Sequence, residues 1–219
     1  MMLRFGLVAA ATLALVSRTT PSAAQCLGDF NGDGKVLVDE LLTAAKNALN
    51  GCQLIGPRFS DNGDGTVTDH KTGLVWEQKD NLDGSANPSD PHDADNTYAW
   101  SSSGAAPDGS VFTAFVFGLN GGTSLDGVAT SGCFAGHCDW RLPTVEELRG
   151  IVDLGAAGCG SGSPCIDPSV GPMQADGYWS ATTRAGNPLR AWLVDYTGGD
   201  MAAGGKTILF FVRAVRGGR

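Results

Sequence analysis

Hydrophobic residues in this chain come in short runs separated by glycine- and aspartate-rich breaks, and the period of each run predicts its element. Alternation in "GTVTD" and "GLVWEQ", on either side of "HKTG", predicts a hairpin. The next stretch, "DNLDGSANPSDPHDADN", is polar, acidic and broken by proline, and reads as a long loop. Helical spacing returns in "SVFTAFVFGLNGG", with Phe112, Phe115, Val116 and Leu119 on one face and Gly121 as the stop. A second helix follows "WRLP". Pro143 sits at its first turn, Thr144 and Glu147 have capping-box spacing, Val145, Leu148, Ile151 and Val152 face inward, and Gly155 ends it. The last third reads as strands: "GYWSATT", "LRAWLVDY" and "TILFFVRAVR". An early hairpin, two helices and a late set of strands predict an α+β domain with an antiparallel sheet, over residues 57–219.

The N-terminal pattern differs. "MMLRFGLVAAATLALVSRTTPSAAQ" has a basic start at Arg4, an apolar core from Leu7 to Val16, and small residues before Gln25. This is the layout of a secretory signal peptide cleaved after Ala24, and its apolar core is too short to span a bilayer. A lipid anchor on Cys26 is disfavoured because Gln25 stands where such signals carry a small residue. Removing residues 1–24 takes away Arg4 and Arg18 and moves the formal charge from −8 to −10. That balance argues against nucleic acid and anionic membrane surfaces as partners. No later segment is long and apolar enough to be an integral membrane span. The expected location is periplasmic or extracellular.

All six cysteines lie beyond the signal: Cys26, Cys52, Cys133, Cys138, Cys159 and Cys165. An even count in an exported chain reads as disulfides. Sequence proximity favours Cys26–Cys52, Cys133–Cys138 and Cys159–Cys165 among the 15 possible connectivities. Zinc at His137 and Cys138 is the weaker reading, because adjacent residues rarely aim at one ion.

Between the first two cysteines lies "GDFNGDGKVLVDEL". Counted from Asp29, the residues Asp29, Asn31 and Asp33 take positions 1, 3 and 5 of a calcium loop, and Gly34 takes the sharp turn at position 6. Lys35 offers a backbone carbonyl, Val36 anchors the loop, and Glu40 stands at position 12, where a bidentate carboxylate belongs. Leu37, at position 9, leaves that place to water. "DELLTAAKNALNG" follows as a helix with Leu41, Ala45, Ala48 and Leu49 on one face. Too few residues precede the loop for a full EF-hand, so residues 25–52 are expected to form a loop-helix binding Ca2+. They resemble one repeat of a dockerin, a family whose members carry two. "DNGDGTVTD", from Asp61, has no acid at its position 12, which is Thr72, and reads as a turn into a strand.

Four ordered motifs then resemble a family: "RFSDNGDGTVTDHKTGLVWEQ", "CFAGHCDWRLPTVEEL", "GYWSATT" and "FVRAVRGG" together are similar to the Lcl C-terminal domain, from about Arg58 to Gly218. That bacterial domain is named for a collagen-like surface adhesin. "WRLPTVEEL" and the terminal block are also similar to formylglycine-generating enzymes. The resemblance implies a C-type-lectin-like fold and an extracellular binding or adhesive role. In the formylglycine enzymes, catalysis uses cysteines near the C-terminal Arg-Gly-Gly. Here Cys165 is the last cysteine, so an enzyme is not expected. Sugar-binding strings of calcium-dependent lectins are absent: Asn87–Pro88 and Asn187–Pro188 lack the flanking acid or amide. The adhesin's association with sulfated glycans sits poorly with the charge of this chain, although Lys206, Arg213, Arg216 and Arg219 could form a basic patch.

Other chemistry-bearing residues have plain readings. Trp76, Trp140, Leu142, Trp179 and Trp192 are expected in the core, and Arg141 as an ion-pair partner of Glu146 or Glu147. Asp80, Asp83, Asp90, Asp93 and Asp95 could hold a cation, but a solvated loop is the simpler reading. His70, His92 and His137 lie in loop-like surroundings, and no Ser-His-Asp or carboxylate pair stands out. The expectation is therefore a secreted, lectin-like binding module whose ligand is a glycan or a surface protein. A docking part of a surface assembly is the alternative, and an enzyme related to the formylglycine generators is the remote one.

Overall fold

The hairpin predicted over residues 65–78 is present and forms the middle of a larger sheet. The computed structural model describes residues 57–218, together with Val38, Leu41, Leu42 and Ala45, four exposed helical positions in the N-terminal segment. The signal peptide, the calcium-loop residues Asp29, Asn31, Asp33, Lys35 and Glu40, and the Cys26–Cys52 pair lie outside the described residues.

Strand β1 (Phe59–Asp61), β2 (Thr66–Asp69) and β3 (Leu74–Glu77) pair antiparallel, and β9 (Val215–Gly217) completes the sheet on the far side of β3. Val67 faces Trp76 and Trp76 faces Val215, so the register puts one apolar row on the core side. Gly63 and Gly65 hold positive φ in the turn between β1 and β2. Behind β2, the buried carboxylate of Asp69 accepts both donors of Arg58, at 3.0 and 2.7 Å, as well as Lys71 N–H and Thr72 Oγ1.

A second sheet joins β5 (Gly177–Thr183), β6 (Arg190–Asp195) and β7 (Asp200–Gly205), and a short ribbon pairs β4 (Tyr98–Ala99) with β8 (Leu209–Phe210). All pairings between named strands are antiparallel. With the helices described next, the described residues form an α+β arrangement. The single strand expected over 207–216 is two: β8 and β9 are separated by Phe211–Ala214. The break turns the chain from one sheet to another and buries Arg213 where a regular strand would expose it.

The first predicted helix is a six-residue π-helical turn, Val111–Val116, running into α1 (Phe117–Leu119). Its buried face is Val111, Ala114, Phe115, Gly118 and Leu119, while Phe112 and Val116 are only half-buried. A regular helix over the same residues would have buried Phe112 and Val116. The wider π turn rotates the face instead. The second predicted helix, α2 (Val145–Gly150), has the expected capping box. Glu147 N–H donates to Thr144 Oγ1, and Glu147 Oε2 accepts Thr144 N–H at 2.7 Å.

Two apolar clusters fill the interior. One joins β1–β3 to α2 and Tyr178, Val194 and Tyr196. The other joins the π-helical turn to Trp100, Trp140, Trp179 and Leu193. Trp76, Trp140, Leu142 and Trp179 are core residues, as the sequence implied, and Trp192 is half-buried. Disulfides join Cys133 to Cys138 and Cys159 to Cys165, with Cα atoms 5.0 and 4.5 Å apart. Among the described residues no helix is long and apolar enough to cross a membrane.

Candidate functional site

The chain leaves β3 at Glu77 with its last side chains turned inward: Glu77 and Lys79 are both buried. It then makes the long acidic loop and returns to its own starting point. Asp80 N–H donates to His92 O at 2.9 Å, and Ala94 N–H donates to Asp80 O at 2.8 Å. This closure lays Pro91 and His92 beside the end of β3. Lys79 Nζ donates to Pro91 O at 2.8 Å, and His92 Nδ1 meets Glu77 Oε1 at 3.0 Å.

Glu77 is the centre of this cluster. Its Oε1 also lies 3.1 Å from Lys79 Nζ, and its Oε2 accepts Ala214 N–H at 2.9 Å. Burial alone would raise its pKa. The Lys79 charge, the hydrogen bond and charge of His92 and the Ala214 N–H outweigh that and hold the carboxyl below its ordinary value. Glu77 is thus ionised and acceptor-only. The guanidinium of Arg213 is buried in the same interior and donates to Val170 O and Pro172 O, at 2.6 and 3.0 Å. Arg213 and Lys206 therefore do not contribute to a surface basic patch. Lys206 is buried against Trp100, with Nζ 3.6 Å from the ring centroid, and donates to Ala105 O and Thr183 Oγ1. Arg216 pairs with Asp139 at 2.8 Å, and Arg219 lies outside the described residues.

Facing His92 is the disulfide loop Cys133–Cys138. Its 3-10 turn, Phe134–Gly136, places the Phe134 ring 4.1 Å from the His92 ring and 5.0 Å from Trp140. Trp140 Nε1 donates to Phe134 O, and Asn120 holds Trp140 from the other side by Nδ2 to Trp140 O and Trp140 N–H to Oδ1. Phe134 seats on Gly65, where a Cβ would approach the ring to 3.2 Å. Ala135 stands at φ 49°, a left-handed backbone that non-glycine residues adopt at a cost of about 1 kcal/mol.

Between His92 and this loop opens a cleft of about 480 Å³. Leu119, Phe134 and Ala135 give it apolar wall, and Ser89, Thr130 and Ser131 give it hydroxyls. Asp90 is the one formally charged side chain on the lining, and its Oδ1 accepts His92 N–H at 2.8 Å. Thr130 Oγ1 is spent on Gly118 O and Gly122 O, so Ser131 is the freer hydroxyl. No tryptophan lines the cleft.

The five loop aspartates do not converge. Asp95 Oδ2 accepts the N–H groups of Asp83, Gly84 and Ser85, at 3.0, 2.7 and 3.1 Å, and so pins the loop tip. Asp80 and Asp93 are held above the ordinary value, first by burial and then by neighbouring carboxylates. Among the described residues no three His, Cys, Asp or Glu side chains are arranged to hold a metal ion. Arg141 pairs bidentately with Glu147 rather than Glu146, at 2.8 and 2.7 Å.

Of the three histidines, His70 bonds Ser60 at the surface and His137 lies in the disulfide loop, while His92 alone lines the cleft. Nothing in the linear sequence separates them. The available signal was Glu77 and Lys79, two charges at the end of an otherwise apolar strand. The model of the family described as the Lcl C-terminal domain matches residues 65–216. No curated protein matches the chain.

Proposed function

The chain belongs to the Lcl C-terminal domain family, and from that premise we propose that it is an exported binding and adhesion module with a C-type-lectin-like fold, which binds a glycan without turning it over. The observation that carries this reading is the cleft between His92 and the Cys133–Cys138 loop. It combines an aromatic face, apolar wall and hydroxyls on backbone held by a disulfide and by the buried Glu77 cluster. Small-ligand sites have this make-up: mostly apolar lining with a few fixed polar groups. Export is supported by the signal-like residues 1–24 and by two disulfides.

In the same proposal, Asp29, Asn31, Asp33, Lys35 and Glu40 bind one Ca2+, which orders residues 25–52 because such loops fold as they bind. The test is a glycan array probed with residues 25–219, with calcium and then with chelator. Binding that chelation abolishes makes calcium part of recognition, and binding that survives limits calcium to the loop. No binding in either condition rejects the glycan reading. It then favours the alternative suggested by the dockerin-like spacing, a docking part of a surface assembly.

A further inference from the structure

We infer that His92 determines the specificity of the cleft, and that it selects an uncharged, hydroxyl-bearing ring, a neutral saccharide, over sulfated, carboxylated or ammonium-bearing relatives. The inference rests on the cleft being the ligand site.

The geometry fixes what His92 can offer. An ionised carboxylate only accepts hydrogen bonds, so a neutral imidazole whose Nδ1 lies 3.0 Å from Glu77 Oε1 must carry its proton on Nδ1. In that neutral form Nε2 is a bare acceptor. Among the described residues no donor meets Nε2. Three contacts favour this orientation: Glu77 meets one edge of the ring, the backbone N–H is tied to Asp90, and the Phe134 ring packs tilted against it at 4.1 Å. An acceptor so held at a cleft wall calls for a donor on the ligand.

The surroundings narrow the donor. Sulfate and carboxylate groups bring acceptors to an acceptor, and they meet the like charge of Asp90 with no lysine or arginine on the lining to offset it. An ammonium group could donate to Nε2, but it would lose water against Leu119, Phe134 and Ala135 with only Asp90 as a counter-charge. A sugar hydroxyl donates to Nε2 at no such cost, and the ring C–H face can lie on Phe134. Ser131, on the same lining, offers a hydroxyl for a second bond.

The test titrates the full chain calorimetrically with a panel of methyl glycosides: glucoside, galactoside, mannoside and N-acetylglucosaminide. Glucuronate, glucosamine and galactose 6-sulfate serve as charged counterparts. The expected result is binding of at least one neutral glycoside, with its charged counterpart about tenfold weaker or worse and His92→Phe about tenfold weaker. Imidazole 15N spectra of the unaltered chain give a second measurement that needs no variant, and the expected form is the Nδ1-protonated tautomer. Charged counterparts bound as tightly, or a ring protonated at Nε2, whether the other tautomer or the imidazolium, overturn the inference. Unchanged affinity in a folded His92→Phe chain overturns the role of His92 while leaving the cleft as the site. Failure of every saccharide overturns both.

Discussion

His92 Nδ1 and Glu77 Oε1 lie 3.0 Å apart, and the same oxygen is 3.1 Å from Lys79 Nζ. One buried carboxylate thus orients a cleft residue and neutralises a buried ammonium. Removing only the acid leaves Lys79 buried without its counter-charge. Glu77→Leu is therefore expected to destabilise the fold by about 3–5 kcal/mol, read from urea unfolding. The double change Glu77→Leu with Lys79→Met removes both charges and should recover much of that loss. A double variant as unstable as the single one would mean that packing, not the pair, explains the loss.

Acid should act in two opposite steps. Asp80 and Asp93 sit above their ordinary value of 3.8, so the folded chain takes up their protons first and gains stability as pH falls toward 3.8. Asp69, Glu77 and Glu147 sit below their ordinary values of 3.8, 4.5 and 4.5. Their stabilisation is complete above about pH 4.5 and is lost as pH falls through the lower folded-state values. In mild acid the first pair therefore offsets part of the loss from the second set. Asp80→Asn with Asp93→Asn should remove that offset, so that unfolding free energy falls earlier as pH drops. An unchanged acid profile in that double variant would contradict the assignment of Asp80 and Asp93.

Two glycines should respond in opposite directions. A Cβ on Gly109 would lie 2.5 Å from Ser101 N and Trp100 C, both backbone atoms that cannot give way, so Gly109→Ala should cost about 3 kcal/mol or more. Gly150, the last residue of α2, has nothing within 4 Å of that position and no positive φ. Gly150→Ala should stabilise by about 0.5–1 kcal/mol. Thermal melts of the two variants check both signs.

Much of the architecture could be read from local chemistry. The capping box of Thr144 and Glu147, the proximity pairing of Cys133 with Cys138 and of Cys159 with Cys165, and the hairpin around "HKTG" each depend on residues close in sequence. The rest lacks a local pattern or depends on partners far away. Strand β7, "DMAAGG", has neither alternation nor bulk, and exists because β6 supplies its ladder. Lys206 and Arg213 look like surface charges until Trp100, Thr183, Val170 and Pro172 are placed around them. The cleft needs His92 and Phe134, which are 42 positions apart, to meet across a closed loop.

Glu40 is the one candidate that would supply two oxygens, so Glu40→Ala should weaken Ca2+ affinity by about tenfold or more, measured by calorimetric titration of the metal. Stability of residues 57–218 should not change. An unaltered titration would remove residues 29–40 as the site.

The place where a ligand sits decides whether the cleft between His92 and Phe134 is the binding site. The measurement is a 15N-HSQC titration of the chain with whichever glycoside binds, followed over all assigned amides. The largest shifts are expected to cluster at residues 89–92 and 129–135, the two walls of the cleft. Shifts centred instead on the β7 edge or on the loop-helix at 25–52, with the cleft silent, would contradict that expectation.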